Sequence, residues 1–213
     1  MDLAAYHHLF LPGADPAAPP LLLLHGTGGN ERDLVPFAQR LSPNSALLAP
    51  RGDVSENGAR RFFRRFAEGV FDLEDVRRRT RALADWLVAA SQHYGFPRDH
   101  LIAVGHSNGS NIAVTVLLLR PEALGGAVLL RSMVVLDEAP PPGALQGRRV
   151  LLLNGTRDPI VSNDHPPRLA ALLRSGGAHV TLQSHGAGHG LTPADLEIAA
   201  RWLEAIRQPS NRL

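Results

Sequence analysis

Residues 101–113 read LIAVGHSNGSNIA, and the rest of the fold can be predicted outward from this stretch. Its first four residues form an apolar run of strand length, and residues 112–119 have the apolar character of a buried helix. Between them, Gly105 and Gly109 flank Ser107 in the pattern G-x-S-x-G. A sharp turn from a strand into a helix leaves no room for a Cβ atom at either glycine position. The stretch therefore predicts a nucleophile elbow, in which the Ser107 hydroxyl is exposed above the edge of a sheet.

The same five-residue pattern also occurs by chance, as an ordinary turn that contains glycine and serine. The predicted strand and helix favour the catalytic interpretation, because they are the structural context that the motif requires. The N-terminus of the helix would then direct free N–H groups and its positive dipole at an anion formed beside Ser107. This arrangement is suited to acyl transfer.

Composition narrows the class of protein. The chain has 213 residues, 44% of them apolar, so we expect one domain that spans residues 1–213 around a single core. It contains no cysteine, which excludes a thiolate nucleophile, disulfides and thiolate metal sites. Residues 1–11 lack the basic head and the cleavage site of a signal peptide, and nowhere do 18 apolar residues run together. We therefore expect a cytoplasmic protein without a membrane span.

The calculated pI of 9.9 does not indicate a strong positive field. The net charge is only +2, and all 22 basic residues are arginines, which do not lose their proton. The densest basic stretch, residues 60–81, contains eight arginines, but four acidic residues lie among them. This mixture is typical of a solvated, salt-bridged surface, and we predict no nucleic-acid partner.

Strands and helices alternate along the whole chain. Apolar runs and alternating patterns predict strands over residues 5–11, 21–24, 45–49, 101–104, 126–130, 150–153 and 179–183. Helical patterns and end signals predict helices over residues 33–41, 73–94, 112–119 and 166–175, followed by a C-terminal helix with Thr192 as its N-cap. This order is typical of an α/β protein with a doubly wound, mostly parallel sheet of about seven strands and helices on both faces.

The glycine-rich loop HGTGGN at residues 25–30 follows a buried strand and admits three interpretations. A dinucleotide fingerprint is disfavoured, because its third glycine position is occupied by Glu31. A phosphate loop that ends in Gly-Lys is excluded, because the chain contains no lysine. An oxyanion loop fits best, with the backbone N–H groups of Thr27 and Asn108 as the two donors.

Two further polar residues follow predicted strands. Asp158 lies beyond the strand at 150–153, and His189 lies beyond the last strand. The carboxyl ends of parallel strands form the edge where α/β sheets keep their sites, although an aspartate before Pro159 is also a common turn cap. The chain order Ser107, Asp158, His189 is the order of the catalytic triad in α/β-hydrolases. We expect these residues to be the nucleophile, the acid and the base.

Three other histidines compete with His189 for the role of the base. We expect His25 to brace the oxyanion loop and His106 to face the pocket wall or the core. His185 is constrained by the strand before it, whereas His189 lies in a loop flanked by glycines. The spacing of His185 and His189 resembles a pair of metal ligands, but the glycines between them preclude a helix, and we predict no metal site.

Residues 50–71 show no clear period, as is typical of a long functional loop, and contain four of the seven phenylalanines. Our hypothesis is that Phe62, Phe63 and Phe71, together with Met133, line a substrate pocket. In the alternative, which stays open at this point, the loop packs on its own core.

Five segments together resemble the carboxylesterase/phospholipase branch of the α/β-hydrolases, whose relatives include acyl-protein thioesterases. They are GHSNGS, LLLHGTGGNERDL, NGTRDPIV, GAGHGLT and RGDVSENGARRFFRRFAEGVFD. The similarity extends over essentially the whole chain and is greatest to the small esterases of bacteria. It implies the α/β-hydrolase fold, hydrolysis of short or medium acyl esters or thioesters, no cofactor and, by family habit, a homodimer. By motif, it implies that Ser107 is the nucleophile, Asp158 the acid and His189 the base, with Thr27 and Asn108 as oxyanion donors.

His106 and Ser110 depart from the aromatic residue and the alanine that the resemblance implies at these positions, which leaves the substrate open. The sequence thus predicts a serine carboxylic-ester hydrolase that acts on a small-molecule ester. Thioester hydrolysis, acyl transfer and perhydrolysis on the same triad are alternatives, because one acyl-enzyme serves all of them. A non-catalytic small-molecule-binding protein of the same fold is the alternative from another class.

Overall fold

The structure is a computed structural model that describes residues 2–207. Its strands are β1 (His8–Leu11), β2 (Leu21–Leu24), β3 (Leu47–Pro50), β4 (Val54–Glu56), β5 (Ala59–Arg61), β6 (Arg65–Ala67), β7 (Val70–Phe71), β8 (Ile102–His106), β9 (Gly126–Leu130), β10 (Arg149–Gly155) and β11 (His179–His185). Its α-helices are α1 (Val35–Leu41), α2 (Leu73–Tyr94), α3 (Asn108–Leu119), α4 (His165–Ser175) and α5 (Pro193–Arg207). Short 3-10 helices lie at Leu3–Ala5, Arg98–His100 and Pro121–Ala123.

Seven of the strands form one sheet, in the order β1-β3-β2-β8-β9-β10-β11. β1 pairs antiparallel with β3, and the other neighbours in this sheet are parallel. The prediction of a mostly parallel sheet of about seven strands is therefore confirmed. In this sheet, β1, β2 and β3 lie on one side of β8, and β9, β10 and β11 lie on the other. A crevice therefore opens at the carboxyl ends of β2 and β8, where the strand order reverses.

Helices cover both faces of the sheet, as predicted. Side chains of α2, α3 and α4 pack on one face in the larger apolar cluster, and α1 and α5 cover the other face. The leucines of β2 divide between the two, because Leu22 and Leu24 belong to the first cluster, whereas Leu21 and Leu23 belong to the second. A parallel strand that is buried on both faces is apolar at every position, which is why β2 shows no alternation.

Helix bounds match the prediction where end signals are strong. α2 begins after Asp72, whose side chain accepts the Asp75 N–H at 3.0 Å, and it ends at Gly95 with φ of 74°. α5 begins directly after the predicted N-cap, Thr192. Within residues 2–207, no helix is both long enough and apolar enough to cross a membrane.

Five of the seven predicted strands have different bounds in the structure. β3, β10 and β11 extend over Leu47–Pro50, Arg149–Gly155 and His179–His185, where the patterns predict 45–49, 150–153 and 179–183. The first, predicted over residues 5–11, begins only at His8, because Asp2 accepts the Ala4 N–H and starts a 3-10 turn instead. The elbow strand continues to His106, beyond the predicted end of its apolar run, because Gly105 still pairs with both neighbouring strands.

The stretch over residues 50–71, predicted as a loop, contains two antiparallel hairpins. β4 and β5 are joined by Asn57 and Gly58, whose φ values of 50° and 87° suit the tight turn of a two-residue hairpin. β6 and β7 are joined by a turn with Gly69 at φ of 74°. The dipeptide Asn-Gly was the local signal that could have predicted the first hairpin.

Candidate active site

Ser107 stands at the junction between β8 and α3. Its backbone has φ of 52° and ψ of −117°, and a positive φ is rare in residues other than glycine. A Cβ atom at Gly105 would lie 2.6 Å from the Cα of Ser110, and one at Gly109 would lie 2.0 Å from the carbonyl oxygen of Leu24. Only glycine at these two positions allows β2, β8 and α3 to pack so closely. This turn has the strained shape that the pattern G-x-S-x-G predicts.

A continuous chain of hydrogen bonds joins Asp158, His189 and Ser107. The Nε2 atom of His189 lies 2.9 Å from Ser107 Oγ, and its Nδ1 atom lies 2.8 Å from Asp158 Oδ2. The Asp158 side chain is fully buried, and that of His189 is 19% exposed. An imidazole that donates its Nδ1–H to a carboxylate can accept a proton from the serine at Nε2.

The surroundings of the Asp158 carboxylate hold it ionised. Burial raises its pKa, but Oδ1 accepts the backbone N–H groups of Ile160 at 2.8 Å and Val161 at 3.1 Å. Together with the His189 imidazole, these donors bring the pKa of Asp158 below its ordinary value. The same carboxylate thus caps the turn that contains Pro159, a structural role of the kind that the sequence also allowed, and it contacts the imidazole.

The three residues meet because each follows a parallel strand at the same edge of the sheet. Ser107 follows β8, Asp158 follows β10 and His189 follows β11. A Cβ atom at Gly155, the last residue of β10, would lie 2.3 Å from the carbonyl oxygen of Ala187. Glycine at this position therefore lets the loop that carries His189 lie directly against the end of β10.

Thr27 and Asn108 line the same cavity as Ser107. Asn108 is the first residue of α3, where backbone N–H groups have no acceptor inside the helix. Within residues 2–207, the N–H of Thr27 donates to no protein acceptor. These two N–H groups are therefore available to an anion that forms at Ser107.

Residues 50–71 hold both of these donor-bearing residues in place. The Arg61 Nη1 atom donates to Thr27 Oγ1 at 2.6 Å. The backbone N–H of Phe62 donates to Asn108 Oδ1 at 2.7 Å. The segment predicted to line a pocket thus supports the glycine-rich loop over residues 25–30 and the elbow.

Arg61 is a site residue that the sequence pattern did not reveal. This part of the chain was predicted to be a solvated surface, but Arg61 is only 2% exposed. Its guanidinium also donates to the carbonyl oxygen of Phe63 at 3.2 Å and lies 3.3 Å from the Glu56 carboxylate. The prediction does describe the neighbouring helix face, where the side chain of Arg78 is 61% exposed and pairs with Asp75.

A cavity of about 440 Å³ opens at Ser107, which is within the usual size of a small-molecule pocket. Arg61, Arg65 and Glu68 lie on its polar side. Its apolar wall is formed by Leu34, Phe71, Met133, Ile160 and Leu191. Two of the four residues in the pocket hypothesis, Phe71 and Met133, therefore lie in the cavity wall.

The structure does not place Phe62 and Phe63 in this wall. They are 2% and 0% exposed and belong to the larger apolar cluster. The Phe62 ring lies 4.8 Å from that of His25, and Phe63 meets the Phe71 ring edge-on at 5.6 Å. For these two residues the alternative interpretation is correct, because the chain passes through the core between the two hairpins.

Replacing Phe63 with alanine will lower the free energy of unfolding by about 3–5 kcal/mol, because a fully buried ring leaves a cavity in the core. Urea denaturation followed by circular dichroism measures this change. The matched control is Phe66→Ala, whose ring is 77% exposed and whose loss should change stability by less than about 0.5 kcal/mol. Equal, small effects in the two variants would contradict the burial of Phe63.

Glu31, the residue that disfavoured a dinucleotide fingerprint, anchors the end of the glycine-rich loop over residues 25–30. Its carboxylate is buried and accepts two hydrogen bonds from Arg51, at 2.6 Å and 2.9 Å. The hydrogen bond from Arg51 lowers the pKa of Glu31 to about 2. The pair therefore stabilises the fold above the unfolded pKa of a glutamate, and this contribution is lost as the pH falls towards 2.

Replacing Glu31 with glutamine will flatten the dependence of stability on pH in acid. Between about pH 5 and pH 2, the free energy of unfolding of the wild type should fall by about 2 kcal/mol more than that of Glu31→Gln, after allowance for solvent screening at Arg51. Denaturation curves across this range measure the difference. Glu138→Gln is the control, since Glu138 pairs with Arg77 at the surface. Parallel curves for wild type and Glu31→Gln would contradict this role.

His25 and His106 have partners other than Ser107. The Nδ1 atom of His25 lies 2.6 Å from the carbonyl oxygen of Gly26, and its Nε2 atom accepts the Gly52 N–H at 2.9 Å, so this ring braces the glycine-rich loop by backbone hydrogen bonds. The Nε2 atom of His106 lies 2.9 Å from the carbonyl oxygen of His189. Burial lowers the pKa of both rings.

His185 and His189, whose spacing resembles a pair of metal ligands, bind separate carboxylates. His185 Nε2 lies 2.8 Å from Asp195 Oδ1, whereas His189 contacts Asp158. The part of the chain that the structure describes contains no cluster of three or more His, Cys, Asp or Glu side chains that could hold a metal ion.

Comparison with known proteins identifies the family. A sequence profile described as Phospholipase/Carboxylesterase matches residues 7–207 of the chain. The chain belongs to the phospholipase/carboxylesterase family. The resemblance of its motifs and the α/β-hydrolase fold are thereby confirmed, and the protein is an enzyme of the serine hydrolase class.

The chain is similar to bacterial hydrolases. It is 42% identical over 187 residues to the putative hydrolase MhqD of Bacillus subtilis strain 168. The aligned region covers 87% of this chain and 93% of that protein. A carboxylesterase from Bacillus cereus has the same fold with a TM-score of 0.92 and 43% identity over 95% of each chain. A carboxylesterase from Mesorhizobium loti has a TM-score of 0.86 and 33% identity, over 94% of this chain and 95% of that one.

Proposed function

We propose that the protein hydrolyses short or medium acyl esters of small molecules through a Ser107–His189–Asp158 triad and an acyl-enzyme intermediate. The observation that carries this proposal is the continuous chain of hydrogen bonds from the Asp158 carboxylate through the imidazole to Ser107 Oγ. The intact chain also argues against the alternative of a non-catalytic binding protein, since such a protein would not need it.

In the first half of the reaction, Ser107 Oγ attacks the carbonyl carbon of the ester while its proton moves to His189 Nε2. Asp158 stabilises the imidazolium that results and holds it in the productive orientation. The negative charge on the substrate carbonyl oxygen is stabilised by the N–H groups of Thr27 and Asn108. The imidazolium then returns the proton to the departing alcohol, and the acyl group stays on Ser107.

In the second half, water enters in place of the alcohol. His189 removes a proton from the water, which attacks the acyl carbon, and the same two N–H groups stabilise the second oxyanion. Collapse of this intermediate returns the proton to Ser107 and releases the carboxylic acid.

The cavity supports a small substrate. Its volume of about 440 Å³ suits a short or medium acyl chain, and the rings and methyls of Phe71, Met133 and Ile160 offer it an apolar surface. We expect no nucleic-acid partner, because arginines near this site pair with acids of the chain, as Arg65 does with Glu56 and Glu68.

Replacing Phe71 with alanine will shift the preferred chain length. Without this ring the wall recedes, so kcat/KM for the longer acyl esters should change about 10-fold relative to that for acetate. A series of p-nitrophenyl esters of increasing acyl length measures the shift. Phe66→Ala is the matched control, since its ring lies in the same pair of strands but is exposed. A uniform change across the series would show that Phe71 does not contact the acyl chain.

The function is tested by a panel of p-nitrophenyl esters and thioesters of increasing acyl length, each with and without a competing alcohol. Carboxylic acid as the main product from esters supports the proposal. A faster reaction with thioesters, or capture of the acyl group by the alcohol in preference to water, would favour thioesterase or acyltransferase activity instead. No turnover of any member, with no label on Ser107 from a fluorophosphonate, would refute the proposal.

A further inference from the structure

The loop that carries His189 is held at three consecutive peptide carbonyl groups. Arg131 Nε donates to the carbonyl oxygen of Gly188 at 2.9 Å, and Arg131 Nη2 donates to that of Gly190 at 3.0 Å. Between them, His106 Nε2 contacts the carbonyl oxygen of His189 itself at 2.9 Å. The side chains of Arg131 and His106 thus bind the backbone carbonyl groups of His189 and of both its neighbours.

Arg131 is itself rigidly held. It is completely buried. Its backbone φ of 59° is positive, like that of Ser107. Its guanidinium forms a bidentate pair with Asp195, at 2.8 Å and 2.7 Å, and Nη1 also donates to the carbonyl oxygen of Leu153 at 3.2 Å. With the two loop carbonyls, these contacts use all five N–H groups of the side chain.

Asp195 connects this pair to the start of α5. Its Oδ2 accepts the backbone N–H of Thr192 at 2.7 Å, which completes the predicted capping arrangement. Its Oδ1 lies 2.8 Å from His185 Nε2. Although burial raises the pKa of Asp195, the hydrogen bonds from Arg131, His185 and Thr192 bring it below its ordinary value. The negative partner of Arg131 is therefore ionised and fixed in place.

We propose that Arg131, held by Asp195 and assisted by His106, is a positioning residue that fixes the His189 imidazole against Ser107. The proposal rests on the proposed function, because it assumes that His189 is the base. In residues 2–207, Arg131 makes no hydrogen bond to Ser107 and does not line the cavity, so it acts through the loop. A buried ion pair by itself is weak evidence for stabilisation of a fold. Here its hydrogen bonds go to the backbone of the loop, where an error of about 1 Å in the imidazole would slow proton transfer greatly.

The first test is Arg131→Lys. Lysine keeps the positive charge beside Asp195, so neither partner is left as a lone buried charge, but a single ammonium cannot reach all these acceptors at once. We expect kcat to fall at least about 10-fold while KM changes less than about 2-fold. We also expect loss of the far-downfield proton NMR signal of the His189 Nδ1–H bonded to Asp158. Arg120→Lys is the matched control, since Arg120 pairs with Asp85 and Glu122 at the far end of α3.

Asp195→Glu is the second variant, in case the first does not fold, since it keeps both charges of the buried pair. It leaves the loop carbonyls as acceptors for Arg131 but weakens the contact that fixes the guanidinium, and the same two changes are expected. A fold-competent variant with wild-type kcat, or one with an intact His189 signal, would overturn the proposal. The proposal would also be overturned if the ratio of variant kcat to wild-type kcat returned to about one at a lower temperature, where the variant is fully folded. Failure of both variants to fold would overturn it too, since the network would then serve the fold alone.

The NMR signal separates this proposal from the proposed function, because it reports the position of His189 without any substrate. Full turnover by Ser107→Ala would refute the triad, whereas an unchanged signal in Arg131→Lys would refute only the positioning role.

Discussion

Replacing Ser107 with alanine will abolish ester hydrolysis, with kcat lower by about 10⁴-fold or more. The substitution removes the atom that would form the acyl-enzyme, so that only binding and the oxyanion N–H groups remain. Stability should change little, because the hydroxyl makes one hydrogen bond, to His189 Nε2, and contributes almost no packing. Steady-state kinetics with a short p-nitrophenyl ester and a thermal melt measure the two quantities.

The matched control for this substitution is Ser91→Ala, which removes a hydroxyl that donates to the carbonyl oxygen of Val88 within α2. It should keep wild-type kcat. A fluorophosphonate should label the wild type at Ser107 and leave Ser107→Ala unlabelled, as mapped by mass spectrometry of peptides. Turnover by Ser107→Ala at more than about a tenth of the wild-type rate, or a label on another residue, would refute Ser107 as the nucleophile.

Replacing His189 with alanine will lower kcat/KM on the scale of the Ser107 substitution, since the hydroxyl is a weak nucleophile without a base to accept its proton. The double variant Ser107→Ala/His189→Ala should be hardly worse than either single variant. Two residues that act in one proton transfer lose their joint effect when either is removed, so their contributions are not additive. Kinetics of the two single variants and the double variant measure this coupling.

Alanine variants of His25, His106 and His185 are the controls for His189. In residues 2–207, the hydrogen-bond partners of these rings are backbone groups or, for His185, the Asp195 carboxylate, and none is Ser107. We expect all three to keep more activity than His189→Ala, with an intermediate loss for His106, which contacts the loop carbonyl. If His106→Ala or His185→Ala is the inactive one and His189→Ala keeps more than about a tenth of the activity, the assignment of the base is wrong.

Local patterns predicted the frame of the site because most of its signals lie in short stretches of sequence. A Cβ atom at Gly105 would meet Ser110 within the elbow itself, so the turn could be recognised from the motif and its flanking strand and helix, whereas the limit at Gly109 is set by Leu24 of the neighbouring strand. Asp158 and His189 could be found from their position after predicted strands, because parallel strands bring their carboxyl ends to one edge. Fully apolar runs predicted β2 and β9 with the correct ends.

The structure of residues 50–71 could not be predicted from local patterns. Its strands are only two or three residues long, too short for an alternating pattern to emerge, and only Asn57-Gly58 marked the first hairpin. The sequence of such a segment does not show which of its phenylalanines are buried in the core and which face a cavity. Phe63 lies in the core and Phe71 in the cavity wall because of the way the hairpins pack.

The sequence by itself thus determined the fold, the family and the residues that the structure joins by hydrogen bonds at the carboxyl edge of the sheet. Only the tertiary structure decided which long side chains are buried and what they hold. In the sequence, Arg131 is simply the first residue after an apolar strand, and nothing beside it indicates burial. Its side-chain partners Leu153 and Asp195 lie 22 and 64 positions away along the chain. Whether a guanidinium is buried depends on acceptors that folding brings together from such distances, and no local pattern records them.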